Sequence, residues 1–196
     1  MTGQELYDGV LTLGHAASYD DAEKLFYRCA NLSLCRCARL LPLFAEVRHT
    51  LSPAPAPYYT ALSAQDLPEP VPERFRAFAD APLAPREPGW EYREGRDFLR
   101  RGKTLLFSPH VLPAELTVRV ILSPLPLTAD TLEQELTVRE EGEAYLTLST
   151  AALLWQREDP ELAAVLAEQA AREEASLRAF SRNPYPATLC GGNGWA

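Results

Sequence analysis

Proline decides most of what this chain can become. A proline inside a helix removes a backbone donor and clashes with the preceding turn. Most of the 17 prolines crowd the stretch from Glu46 to Leu127, in runs such as "SPAPAPYY" and "LPEPVPERF". Short alternating segments lie among them: "EVRHTL", "RFRAFA", "KTLLF" and "ELTVRVIL". Apolar residues at every second position mark half-buried strands, and "ELTVRVIL" sets Leu116, Val118, Val120 and Leu122 on one face. Within "EYREGRDFLRRGKTLLF", Gly95 and Gly102 supply turn points for a meander. Strands this few and this short predict a small antiparallel sheet rather than a large barrel.

On either side of that stretch the apolar period becomes helical. "SYDDAEKLFYRCANLSLCRCARLLPLF" opens on Ser18 as an N-cap, carries acids in its first turn and meets Pro42 at its end. At about 100° per residue, Cys29, Ala30, Ser33, Cys37, Leu40 and Leu41 fall near Phe26 as one buried stripe. Lys24, Arg28, Cys35 and Arg39 face the other way, and Leu25 and Leu32 form a second apolar lobe at the border. A helix apolar on more than one side touches more than one neighbour.

After the proline-rich stretch, "GEAYLTLSTAALLW" places Tyr145, Leu148, Ala152 and Trp155 at helical spacing. "EDPELAAVLAEQAAREEASLRAF" restarts with Asp159 as N-cap and Pro160 at the first helical position. Its stripe of Leu162, Leu166, Gln169, Ala170, Glu173, Leu177 and Phe180 is partly apolar, beside an alanine-rich flank that permits close helix packing. The link "QRED" makes the two helices a hairpin, and "SRNPYPATLCGGNGWA" reads as an irregular tail. The fold expected is α+β and mainly helical, a single domain over 1–196. N-terminal helices at 1–45 and a helix hairpin at 128–182 form a bundle, a small antiparallel β insert fills 46–127, and an extended tail follows at 183–196.

A net charge of −8 disfavours non-specific adhesion to nucleic acid or anionic membrane, and suits a surface past which DNA slides. No run of about 18 apolar residues occurs, and "MTGQELYDGV" lacks a basic stretch followed by an apolar one. A soluble chain without an export signal is expected, with no membrane partner. Four cysteines are too few for a disulfide scaffold, so a reduced compartment is the default. Three of them stand in "CANLSLCRC", residues 29–37. On a helix, Cys35 and Cys37 lie about 200° apart and Cys29 is about 12 Å below Cys37. That segment cannot close a tetrahedral zinc site by itself, although Cys190 could join from the tail. Small buried hydrophobes are the favoured reading.

Enzyme signatures are equally absent from the pattern. His15, His49 and His110 stand singly, away from any Gly-rich elbow, and "GGNGW" neither follows a strand nor opens a helix. The acids of "REEGE" and "EQE" read as solvated faces. The expectation is no catalytic residue, no cofactor and no metal. Arg93, Arg96, Arg100, Arg101 and Lys103 form one basic cluster, interleaved with Tyr92 and Phe98. It reads either as a contact with DNA or an acidic partner, or, the favoured alternative, as a hairpin blunted with charge against edge pairing.

The order of helix, strand-rich insert and "LTLSTAALLWQREDPELAAVLAEQAAREEASLRAF" resembles the head-tail connector proteins of tailed bacteriophages, also called adaptor or head-completion proteins. In that family an alanine-rich helix ends near an aromatic, a short acidic link such as "REDPELA" follows, and a long helix with scattered alanines continues. "GKTLLFSP" and "ELTVRVILSPLPLTADT" are similar to the family's insert, and the likeness runs from about Tyr19 to Phe180.

The resemblance implies a protein made in the host cytoplasm and built into the virion neck, as a ring of usually twelve copies beneath the portal. Its implied partners are further copies of itself, the portal protein and a tail or stopper protein, with DNA passing through the lumen without sequence-specific binding. By position, Pro184, Tyr185, Pro186, Leu189 and Trp195 would dock on the portal, and Leu25, Leu32 and Cys35 would meet neighbouring subunits. A competing reading is a non-catalytic cytosolic binding or regulatory module whose insert recognises a peptide or small ligand. A small hydrolase working through scattered carboxylates is a third.

Overall fold

The computed structural model describes residues 1–15, 22–52, 59–83, 92–111 and 114–182. Along the chain run α1 (Gly3–Leu13), α2 (Ala22–Leu40), β1 (Leu43–Leu51), β2 (Thr60–Leu62), α3 (Val71–Arg74), β3 (Phe75–Phe78), β4 (Phe98–Arg101), β5 (Thr104–Phe107), β6 (Ala114–Leu122), α4 (Glu143–Trp155) and α5 (Pro160–Arg182). The protein is therefore of mixed α+β class, and among the described residues the named strands run from Leu43 to Leu122, three residues ahead of and into the proline-rich stretch. Contacts divide the chain into two compact units. A helical unit joins Met1–Leu41 to the chain from Pro126 onward, and a β unit spans Pro42–Leu125.

In the helical unit α1 starts on a capping box. The Thr2 hydroxyl accepts the Glu5 N–H at 3.1 Å, and the Glu5 carboxylate accepts the Thr2 N–H at 2.7 Å, satisfying two donors that a helix start leaves open. On α2 the expected stripe is buried at Phe26, Cys29, Ala30, Ser33, Cys37 and Leu41, with Leu34 and Ala38 added and Leu40 half-buried. Its expected cap, Ser18, lies outside the described residues. Asn31 on α2 holds the returning chain, donating to the Leu127 carbonyl at 2.9 Å and accepting the Leu127 N–H at 2.7 Å.

Helix α4 departs from the expected stripe. Leu148 and Ala152 are only half-buried, whereas Tyr145, Leu146, Ser149, Thr150, Ala151, Leu154 and Trp155 are all buried. A helix apolar nearly all round belongs in the middle, and α1, α2 and α5 each pack against α4. The Trp155 indole donates to the Val10 carbonyl at 3.2 Å. The same ring lies over Gly14, where a Cβ would stand 2.1 Å from it. Asp159 caps α5 as expected, its carboxylate accepting the Leu162 N–H at 2.9 Å. Leu166, Ala170 and Leu177 bury the helix, Leu162, Glu173 and Phe180 are half-buried, and Gln169 points to solvent.

Among its described residues the β unit holds two three-stranded antiparallel sheets, not the single small sheet expected, in the orders β1-β6-β3 and β2-β5-β4. Strands β1 and β6 pair along nine residues, from Leu43 opposite Leu122 to Leu51 opposite Ala114. A sheet with one apolar face needs a cover, and each sheet supplies the other's. Val47, Leu116, Val118 and Val120 from the first join Leu62, Phe98, Leu105 and Phe107 from the second in one buried cluster. Leu122, read as the fourth residue of the β6 face, is partly buried against it. Gly95 (φ 86°) and Gly102 (φ 58°) take the left-handed conformation at the turns assigned to them.

Candidate assembly surface

Among the described residues, the helical unit has an open apolar groove along one flank of α5. Between α4 and α5 runs a groove of about 500 Å³. Its α5 wall is alanine, at positions 163, 164, 167, 170 and 171, and its α4 wall includes Tyr145, Ser149, Ala152 and Leu153. From Pro160 to Glu174 the α5 wall extends about 21 Å at ~1.5 Å per residue. Ala164, Ala167 and Ala171 are exposed, although the helix buries Leu166 and Leu177 a quarter-turn away.

Charge is concentrated at one end of the groove. There Arg36 of α2 and Glu174 of α5 line the wall, and Glu174 pairs with Arg178 one turn on. The Tyr145 hydroxyl beside them is pushed above its ordinary pKa, first by burial and then by the negative charge of Glu174. Nothing in the groove resembles a nucleophile with its base. Small side chains along a straight wall offer close approach instead, to the flank of a helix or an extended segment.

The residues expected to meet neighbouring subunits fall into two groups. Leu25 packs against the unit's own core, whereas Leu32 is 45% exposed and Cys35 is exposed. With Arg28, Arg36 and Arg39, also exposed, Leu32 and Cys35 make an outer strip of α2 that begins at the groove wall. Cys29 and Cys37 point inward as the helical count required. Burial pushes the Cys37 thiol up to about 11 and raises that of Cys29 against the pull of Arg28, so both are poor nucleophiles. Among the described residues no group of three or more His, Cys, Asp or Glu could hold a metal ion. The tail residues Pro184, Tyr185, Pro186, Leu189 and Trp195, and Cys190 with them, lie outside the described residues.

In the β unit the basic cluster does not form one surface. Arg93, Arg96, Arg101 and Lys103 are exposed, but Arg100 turns inward and donates to the Phe78 and Asp80 carbonyls, both at 3.1 Å. Tyr92 and Phe98 are core residues at 7% and 1% exposure, so neither offers a face on which a base could stack.

Beneath the cluster, Asp97 is buried at 3% exposure. Its carboxylate accepts the Arg93 N–H at 2.8 Å and lies 3.5 Å from Arg96 and 3.3 Å from His110. His110 in turn reaches the Ser108 hydroxyl at 2.7 Å. The Arg93 amide leads, with His110 and Arg96 helping, in holding the Asp97 carboxyl below its ordinary pKa. The residue types are those of an acyl-transfer relay. Their bonds, together with the Ser108 N–H donated to the Asp97 carbonyl at 2.9 Å, strap the segment before β4 to the segment after β5. Sequence spacing hid this network, because Asp97 and His110 meet only once the β4–β5 hairpin has formed. A hollow of about 210 Å³ in the same unit is lined by Glu46, Asp80, Ala81, Leu83, Thr117 and Arg119. Its arginine is already engaged, by Asp80 at 3.4 Å and by the Phe44 ring at 4.0 Å.

Compared with known proteins, the chain matches no family model and no curated protein.

Proposed function

We propose that this chain is a non-catalytic structural protein, the connector that joins head to tail in a tailed bacteriophage. In this reading α1, α2, α4 and α5 are the bundle of one ring subunit, and the β unit is its insert. The ring would extend the DNA channel below the portal and give the tail or stopper protein its docking platform. One observation carries the reading: the α4–α5 hairpin, capped by Asp159 and buried along one side, leaves its alanine flank open over about 500 Å³. A subunit in a closed ring meets two neighbours through different surfaces, and an uncovered helix flank is what such a subunit needs. The formal charge of −8 supports a lumen through which DNA passes without being gripped.

The tail tests the portal side of this reading. Removing residues 184–196 should abolish binding to the portal protein while leaving the circular dichroism of the free chain nearly unchanged. Binding at full strength after that deletion would overturn the docking role given to Tyr185 and Trp195.

A further inference from the structure

Helix α5 carries a second feature on the side away from the groove. Val165 is 53% exposed, the most exposed large apolar side chain among the described residues. At about 100° per residue it lies roughly 130° round the helix from the mean direction of Ala164, Ala167 and Ala171. Glu161 and Glu168 flank it one turn to either side, and both are exposed. Arg172 closes the ridge by pairing with Glu168 at 2.6 Å. The groove differs: a trough of alanines whose wall carries Arg36 from α2 and Glu174 from α5, the latter paired with Arg178, with the exposed Arg28, Leu32, Cys35 and Arg39 continuing along α2 outside it. The ridge's Glu161 and Glu168 and the arginines on the α2 side of the trough are opposite in charge, which favours bringing those two edges together.

We propose that the Val165 ridge of α5 in one copy of this chain seats in the α4–α5 groove of a second copy. Each molecule then gives its ridge to one neighbour and its groove to the other. Such a head-to-tail contact leaves one ridge and one groove free in any open chain of copies and satisfies all of them on closure. Exposed alanines allow the incoming helix to approach at the short end of the usual 8–10 Å interaxial range. Seating would bring the Glu161 and Glu168 flank towards Arg36 and cover the groove beside Leu32 and Cys35. The contact deepens the connector reading and rests on it for closure into a ring, while the pairing of ridge and groove can be tested separately.

Cross-linking decides it. In a background where Cys35 and Cys190 are serine, Val165→Cys and Ala167→Cys are placed in separate chains, which are mixed and oxidised alone and again with portal protein. Both positions are exposed, so folding is not at stake. The proposal expects nearly all cross-linked product to be mixed dimer, against the half that random pairing gives, and little product from either variant alone. Val165→Cys cross-linking to itself would mean a two-fold contact and overturn the proposal. Ring-sized particles by sedimentation without mixed dimers would overturn the ridge-and-groove contact and leave the connector reading standing. Neither particles nor mixed dimers, with portal present, would overturn both.

Discussion

Both units bury apolar side chains to a few per cent exposure, yet they finish their surfaces differently. In the β unit Tyr92, Phe98 and Phe107 fill the space between two sheets, their rings 5.8 to 6.0 Å apart, and Arg100 closes carbonyls that the sheet leaves open. In the helical unit the same economy holds around α4, but on the outer flank of α5 the large side chains stop and alanines take over. Among the described residues the β unit still exposes Phe44, Tyr59, Leu83, Leu99 and Leu125, against Leu32 and Val165 in the helical unit, so the contrast lies in the alanine flank and not in the number of exposed apolar side chains. In the connector reading, that alanine flank is the surface that meets another molecule.

The comparison breaks most visibly at Phe107, fully buried between the sheets. Phe107→Ala should cost about 3–5 kcal/mol, read by urea denaturation. If the units are as distinct as their contacts suggest, the helical signal in the far ultraviolet should survive into urea concentrations where the β unit has unfolded. A single transition would erase that distinction. The matching change in the helical unit is Gly14→Ala, whose new Cβ would collide with the Trp155 ring. About 1–3 kcal/mol of destabilisation follows from such overpacking, together with a changed Trp155 fluorescence. Asp159→Ala should cost about 1 kcal/mol by removing the α5 cap.

Acid sharpens the comparison further. Because the folded-state pKa of Asp97 lies below its unfolded value, its contribution is fully present above the ordinary carboxylate range. It is lost as pH falls through the depressed folded value. Asp97→Asn should flatten that acid limb in the β unit, seen as a smaller loss of Tm on acidification. The smallest effect on stability should be that of Ala167→Arg, within about 0.5 kcal/mol because the site is exposed. Its effect on assembly should be the largest, since a guanidinium would fill the groove. An Ala167→Arg chain that assembles normally would remove the reason for treating the two units differently.

Much of this was legible in the residues themselves. Asp159 and Pro160 announce a helix start, Gly95 and Gly102 announce turns that need positive φ, and the inward direction of Cys29 and Cys37 follows from 3.6 residues per turn. Thr2 and Glu5 carry the spacing of a capping box, a signal that could have placed α1 directly. Other features were not local. Strands of three and four residues do not say which sheet they will join, so the second sheet emerged only from pairing. Arg100 reads as surface charge until the chain around Phe78 and Asp80 comes alongside, and Asp97 gains His110 only through the hairpin. The groove depends on which flank of an alanine-rich helix its neighbours leave uncovered, and sequence periodicity does not specify that.

Electron microscopy of the purified chain mixed with portal protein tests the connector account most directly. The account predicts closed rings with a central channel, seated on the portal and lost when residues 184–196 are removed. Single copies that neither close into rings nor bind portal at any concentration would contradict it.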